Sequence, residues 1–148
     1  MPELDPSQFD LSIDLDGNWR HQDEVITHPR ILAMLYTGLK KMGSAHVICA
    51  EGLCLPVRVA DCAYVVLSVR HAATGITLLL TDGAYETLDP AALTIDAQNV
   101  PRTKVKNGAF EARFSRTAWM QLTDAVTEDG QGGFELTAAG KKTKLQVG

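Results

Sequence analysis

Apolar and polar residues alternate at the start of the chain. Phe9, Leu11, Ile13 and Leu15 are interleaved with Asp10, Ser12 and Asp14. That period of two predicts a half-buried strand. Asp16-Gly17 predicts a tight turn, since both residues tolerate positive φ. Trp19 and His21 then begin the return strand, and Val25-Ile26 is a short apolar pair. Thr27 is expected to cap a helix, with Pro29 in its first turn. Ile31, Leu32, Leu35, Leu39 and Met42 follow at helical spacing. Lys40 and Lys41 suit the negative end of that helix, and Gly43 suits the residue beyond it. Residues 45–59 read as a hairpin about Ala50-Glu51-Gly52, where a final Gly favours a type I turn with a G1 bulge. Residues 64–69 and 76–80 are apolar on both faces, as in central strands.

The second half repeats this order. After a weak strand at 93–97, residues 102–114 form a hairpin about Asn107-Gly108, the strongest short hairpin signal present. Ser115 caps a second helix with Trp119, Leu122 and Val126 on one stripe. Gly130-Gln131-Gly132-Gly133 is a turn, and residues 134–147 form a closing hairpin. The two copies match Gly17 with Gly108, Trp19 with Phe110, Gly52 with Gly140 and Val59 with Val147. The expected fold is therefore α+β, with duplicated hairpin–helix–hairpin subdomains over 1–64 and 65–148. Such a duplication creates a junction between similar halves, a common place for a ligand.

Composition narrows the class without naming a reaction. The chain has 148 residues, 45% hydrophobic and 22% charged, as in soluble globular proteins. A net charge of -4 opposes duplex nucleic acid, so no nucleic-acid partner is expected. The first residues carry neither a basic segment nor an apolar run, and no stretch approaches the ~20 apolar residues of a membrane helix. A cytoplasmic chain with no membrane partner is the expectation. Cys49, Cys54 and Cys62 are then expected as reduced thiols. If Glu51-Gly52 were a two-residue turn, Cys49 and Cys54 would face each other about 4.5 Å apart, within reach of a disulfide. The three-residue loop is preferred, and it places Cys49 opposite Leu53.

The order of several motifs resembles the DUF1285 family. Residues 9–19, Val25-Ile26 and the helix at 30–39 are similar to its N-terminal signature. Val59-Ala60-Asp61-Cys62-Ala63-Tyr64-Val65 resembles the family's V-x-D-A-P-F-V segment, with Ala63 in place of proline. Residues 104–122, with Gly108-Ala109-Phe110-Glu111-Ala112-Arg113-Phe114-Ser115-Arg116, are similar to its G-x-x-E-A-R-x-x-R stretch. The resemblance implies a bacterial protein of unassigned activity. It implies duplicated α+β halves, the C-terminal one loosely pleckstrin-homology-like, and a nucleotide-like ligand between them with a role in signalling. The segment between residues 80 and 105 is shorter than in many members.

Four residues are the candidate ligand contacts. Arg113 lies on the strand face opposite Phe110, Ala112 and Phe114. Arg116 follows the Ser115 cap, where backbone N–H groups favour an anion. Together they would hold a phosphate or carboxylate. Trp19 would stack on a planar ligand, with His21 on the same strand face. The plainer alternatives are solvated arginines and a core tryptophan. No catalytic residues, metal or cofactor are expected. The four histidines lack ligand spacing, Asp10, Asp14 and Asp16 lack the rest of a calcium loop, and no nucleophile or phosphate-loop motif is present. Lys104, Lys106, Lys141, Lys142 and Lys144 make the C-terminal half locally basic. The leading expectation is a non-enzymatic ligand-binding or sensory module for an anionic, nucleotide-like small molecule. The alternative is a protein-interaction module using that basic face, or a sheet edge marked by Pro56.

Overall fold

The computed structural model describes residues 10–147, with side chains through residue 145. Phe9 lies outside the described residues. The chain divides into two compact units, residues 1–63 and 64–148.

The N-terminal unit has a six-stranded sheet with one helix. Strands β1 (Leu11–Ile13), β2 (Trp19–His21) and β3 (Glu24–Val25) form a meander, and α1 covers Pro29–Gly38. Strands β4 (Leu39–Met42), β5 (Ala45–Ala50) and β6 (Leu53–Val59) form a second meander. The sheet order is β3-β2-β1-β6-β5-β4, closed by a parallel pairing of β6 with β1. Leu11, Ile13, Trp19, Leu35, Leu39, Leu55 and Val57 are buried and make the core.

Several local expectations change here. His28 caps α1 in place of Thr27, its Nδ1 accepting the Arg30 N–H at 3.2 Å. The helix stops at Gly38 and the chain continues as β4, so Lys40, Lys41 and Met42 belong to a strand. Gly38 lets this end of α1 lie close to β5, since a Cβ there would meet the Cys49 carbonyl oxygen at 2.7 Å. Glu51 and Gly52 both have positive φ, 51° and 79°, which makes a two-residue turn. Cys49 therefore faces Cys54, and the two form a disulfide with a Cα separation of 4.1 Å. The expected reduced pair and three-residue loop are both overturned by this register. Pro56 pairs with Val47 of β5, while β1 meets β6 only at Arg58 and Val59, so at Pro56 the other side of the strand is a local edge although β6 as a whole is internal to the sheet. Pro56 shares the parity of Cys54, in the class of close pairs that exchange no ladder hydrogen bonds, so its missing N–H breaks nothing between β5 and β6.

The C-terminal unit starts with β7 (Tyr64–Ala72), β8 (Gly75–Leu80) and β9 (Tyr85–Thr87). A 3₁₀ turn at Pro90–Ala92 leads to β10 (Thr94–Ile95), β11 (Pro101–Val105), β12 (Phe110–Phe114) and α2 (Arg116–Leu122). A second 3₁₀ turn, Thr123–Ala125, precedes β13 (Val126–Glu128), β14 (Phe134–Ala138), β15 (Lys141–Lys144) and β16 (Gln146–Val147). The seven-stranded sheet runs β16-β10-β11-β12-β7-β8-β9, and β13-β14-β15 forms a separate three-stranded sheet. Helix α2 buries Ala118 and Leu122 over β7. Gln121 fastens it there: its Oε1 accepts the Val69 N–H at 2.7 Å, and its carbonyl lies 2.7 Å from His71 Nε2. Val126 leaves the helix and joins β13, so the predicted helical stripe ends at Leu122.

The architecture is α+β with a duplicated subdomain, and the strand registers define the repeat. Ser12 and Ile13 pair in parallel with Arg58 and Val59, while Thr94 and Ile95 pair in parallel with Gln146 and Val147. The turns agree as well. Asp14 Oδ1 accepts the N–H groups of Asp16 and Asn18, and its Oδ2 accepts Arg20 Nε at 2.9 Å. Asp96 Oδ1 accepts the N–H groups of Gln98 and Val100, and its Oδ2 accepts Arg102 Nε at 3.0 Å. Gly17 and Asn99 occupy the same place with φ of 83° and 62°. The counterpart of β1-β2 is thus β10-β11, and the matching of Gly17 with Gly108 is displaced by one hairpin. Gly52 with Gly140 holds, since Ala139-Gly140 repeats the positive-φ pair of Glu51-Gly52. Val59 and Val147 also correspond, each beside an isoleucine of the first strand.

Candidate functional site

The four residues expected to bind ligand have different settings. Trp19 is 1% exposed and meets Tyr36 edge-on at 5.5 Å, so it is part of the N-terminal core. Its Nε1 has no hydrogen-bond partner among the described residues. His21, two residues along β2, is exposed. Arg113 lies on β12 directly across from Arg102 on β11. Arg116 is the first residue of α2, exposed, and three positions from Arg113. The helix behind it has only seven residues, and Ser115 Oγ already accepts the Ala118 N–H. That removes one of the free donors an anion would use.

The expected basic character of the C-terminal half is partly neutralised. Lys106 Nζ lies 2.6 Å from Asp82 Oδ2, 3.7 Å from Glu86 Oε2, and 5.4 Å from the Tyr64 ring centre. Among the described residues, no group of three or more His, Cys, Asp or Glu side chains converges as a metal site would require.

A half-open cavity of about 460 Å³ lies in the C-terminal unit, among β10, α2, the following 3₁₀ turn, β13 and β14, with Asn99, Thr123, Glu128 and Phe134 exposed at its mouth. Its floor is Ile95 and Leu145, 6% and 5% exposed. Trp119 and Phe134 give it aromatic walls, and Val126 fills between them. Asn99, Thr123 and Glu128 are its polar lining.

Each lining residue is placed by a local device. Trp119 and Thr123 are four residues apart, one turn along the same flank of α2 and its 3₁₀ extension. Thr123 Oγ1 donates to the Met120 carbonyl at 2.6 Å, which leaves its lone pairs outward. Glu128 pairs across the sheet with Phe134, and Val126 with the buried Leu136, so alternation sets all four on one face. The turn joining β13 to β14 is braced by Asp129, whose Oδ1 accepts the N–H groups of Gln131 and Gly133 at 2.7 and 3.0 Å. A Cβ at Gly133 would fall 2.7 Å from Asp129 Oδ2, so a side chain there would have to displace the carboxylate that braces the turn. Asn99 is carried by the Asp96 turn, at the position that is Gly17 in the first repeat.

These turn carboxylates are all more acidic than usual. The Val100 N–H lowers Asp96 most, burial opposes it, and Arg102 and the Gln98 N–H add to the lowering. For Asp129 the Gln131 and Gly133 N–H groups outweigh burial, and the Lys144 charge assists. At Asp14 burial is the largest influence and raises the value, but the bonds from Asn18, Arg20 and Asp16 together exceed it. All three therefore stay ionised and hold their turns at neutral pH.

The fold has likenesses among solved structures. A DUF1285 family protein from Silicibacter pomeroyi DSS-3 matches with a TM-score of 0.77 at 20% identity, over 94% of this chain and 80% of that one. A DUF1285 family protein from Shewanella baltica OS155 matches with a TM-score of 0.65 at 9% identity, over 77% of this chain and 90% of that one. The chain has the DUF1285 fold. No family model and no curated protein matches the sequence. At these identities the likeness concerns the fold, and the residues lining the DUF1285-fold cavity must carry the functional argument themselves. Sequence reading assigned Trp119 to a helix stripe and gave no role to Asn99, Glu128 or Phe134. The register that unites Glu128 with Phe134 depends on a glycine-rich turn whose shape the sequence leaves open.

Proposed function

We propose that this DUF1285-fold chain is a non-enzymatic small-molecule-binding module with a sensory role, its ligand held in the cavity of the C-terminal unit. The observation that carries this is the cavity itself, about 460 Å³ with an apolar floor, two aromatic walls and a few polar groups. That is the size and lining of ligand sites in general. Binding is favoured over catalysis because Thr123, the one hydroxyl among the described lining residues, donates to a backbone carbonyl and not to a base. Ligand-detected NMR with planar heteroaromatic fragments tests the reading. Fragments should bind the wild-type protein and be lost in Val126→Trp, which fills the cavity, while circular dichroism shows the fold retained. Fragments that persist in the filled variant, or none binding at all, would refute it.

An anionic, nucleotide-like ligand held by Arg113 and Arg116 is a second reading. It is favoured by the cross-strand placement of Arg102 and Arg113, with Arg116 three residues on. Against it stands Asp96, which already engages Arg102 at 3.0 Å. Nucleotides at millimolar concentration should raise the melting temperature by mass action, and less so in Arg113→Ala/Arg116→Ala. No stabilisation in the wild type would end this reading.

A further inference from the structure

We infer that the occupant of the cavity in the C-terminal unit is an amphipathic organic cation, an aromatic body carrying an ammonium group. This rests on the binding role proposed for that cavity and names its ligand class. Among the described lining residues Glu128 is the only acidic or basic side chain, so the site offers a carboxyl group and no basic one there. Thr123 spends its proton on the Met120 carbonyl and offers lone pairs near that charge. Asn99 can accept or donate, so it is neutral to the sign of the ligand.

Strand register adds a second element. Glu128 lies directly across from Phe134, which sets the carboxylate beside an aromatic ring at roughly 5 Å between Cβ atoms. A cation at Glu128 then meets a ring as well, an arrangement that favours ammonium groups. The neighbouring charges leave Glu128 available. Lys144 pairs across β14 with Glu135, whose side chain alternates to the face opposite Phe134, and its charge acts on Asp129. Ile95, Leu145, Val126 and Trp119 then cover the apolar body. Glu128 is exposed, so an anion beside it would meet a solvent-screened like charge with no basic partner among the described lining residues, and anions are disfavoured.

Three probes of one shape separate charge from shape: tryptamine, indole and indole-3-acetate, titrated into the full chain by calorimetry and followed by ¹H–¹⁵N spectra. Tryptamine should bind about fivefold more tightly than indole, and indole-3-acetate more weakly than either. Glu128→Gln should erase the tryptamine advantage and leave indole unchanged. Raising salt to 1 M should shrink the advantage too. Equal binding of tryptamine and indole, tightest binding of the acetate, or an advantage that survives Glu128→Gln would overturn the cation assignment while leaving a ligand cavity. If none of the three binds at millimolar concentration, the cavity reading falls with it.

Discussion

Replacing Gly38 with alanine sets two known effects against each other. Alanine is the better helix former, and removing glycine from a helix gains about 0.5–1 kcal/mol, partly through the unfolded chain. In this fold the new methyl carbon would lie 2.7 Å from the Cys49 carbonyl oxygen and 3.1 Å from Ile48 Cγ1. The oxygen cannot swing away, because β5 is paired on both sides, with β4 and β6, and Cys49 is tied to Cys54. Overpacking of this kind costs about 1–3 kcal/mol. The clash should win, with a net loss of about 1–2 kcal/mol. For a chain of this length that lowers the melting temperature by roughly 2–8 °C. Urea unfolding of Gly38→Ala followed by circular dichroism measures it. Thr37→Ala is the matched control, since it gains helix propensity at an exposed position. If Gly38→Ala were as stable as the wild type, or more so, the close approach of α1 to β5 would be wrong.

Other consequences are equally open to measurement. Replacing Cys49 and Cys54 with alanine, or reducing them, should cost about 2 kcal/mol through the short loop they close, seen as a lower denaturant midpoint. An unchanged midpoint would contradict the disulfide. Asp14, Asp96 and Asp129 all have folded values below the usual 3.8. The stability they contribute is thus fully present above about pH 4 and is lost as pH falls through their folded values. The pair of changes Asp14→Asn and Asp96→Asn should flatten the acid limb of stability against pH, and an unaltered limb would refute the shared turn mechanism. Leu122→Ala, at a position with no exposure, should lose about 2–5 kcal/mol, read as a shift in urea midpoint.

The sequence made the local punctuation readable and the longer-range registers much less so. Asp16-Gly17 and Asn107-Gly108 both mark turns in the structure, since few residues accept positive φ. The first helix started close to where Pro29 placed it, but its end was misread. Apolar periodicity runs on through Leu39 and Met42, and the pairing of Leu39–Met42 with β5 is a tertiary fact that periodicity does not carry. The turn at Glu51-Gly52 was misread because a glutamate at positive φ is uncommon, and the same holds for Ala139 before Gly140. The repeat is legible in the sequence, yet glycine matching pairs its first hairpin with β11-β12 instead of β10-β11. The true match has Asn99 where a glycine was sought, and its visible trace is the spacing Asp14 to Arg20 and Asp96 to Arg102. The cavity was not foreseen, because Asn99, Trp119, Glu128 and Phe134 come from four separate segments.

In both repeats the final strand lies parallel to the first, β6 beside β1 and β16 beside β10. A ribosome releases Ser12 long before Arg58, and Thr94 long before Gln146. Neither sheet can be completed until nearly all of its repeat has emerged, so each nascent half waits with an open strand. Closure then joins residues far apart in the chain, the slow kind of pairing in folding. For the second repeat the wait lasts until Gln146 and Val147 have emerged. Stalling just short of that point would leave β10, and with it Ile95 of the cavity floor, without its outer neighbour.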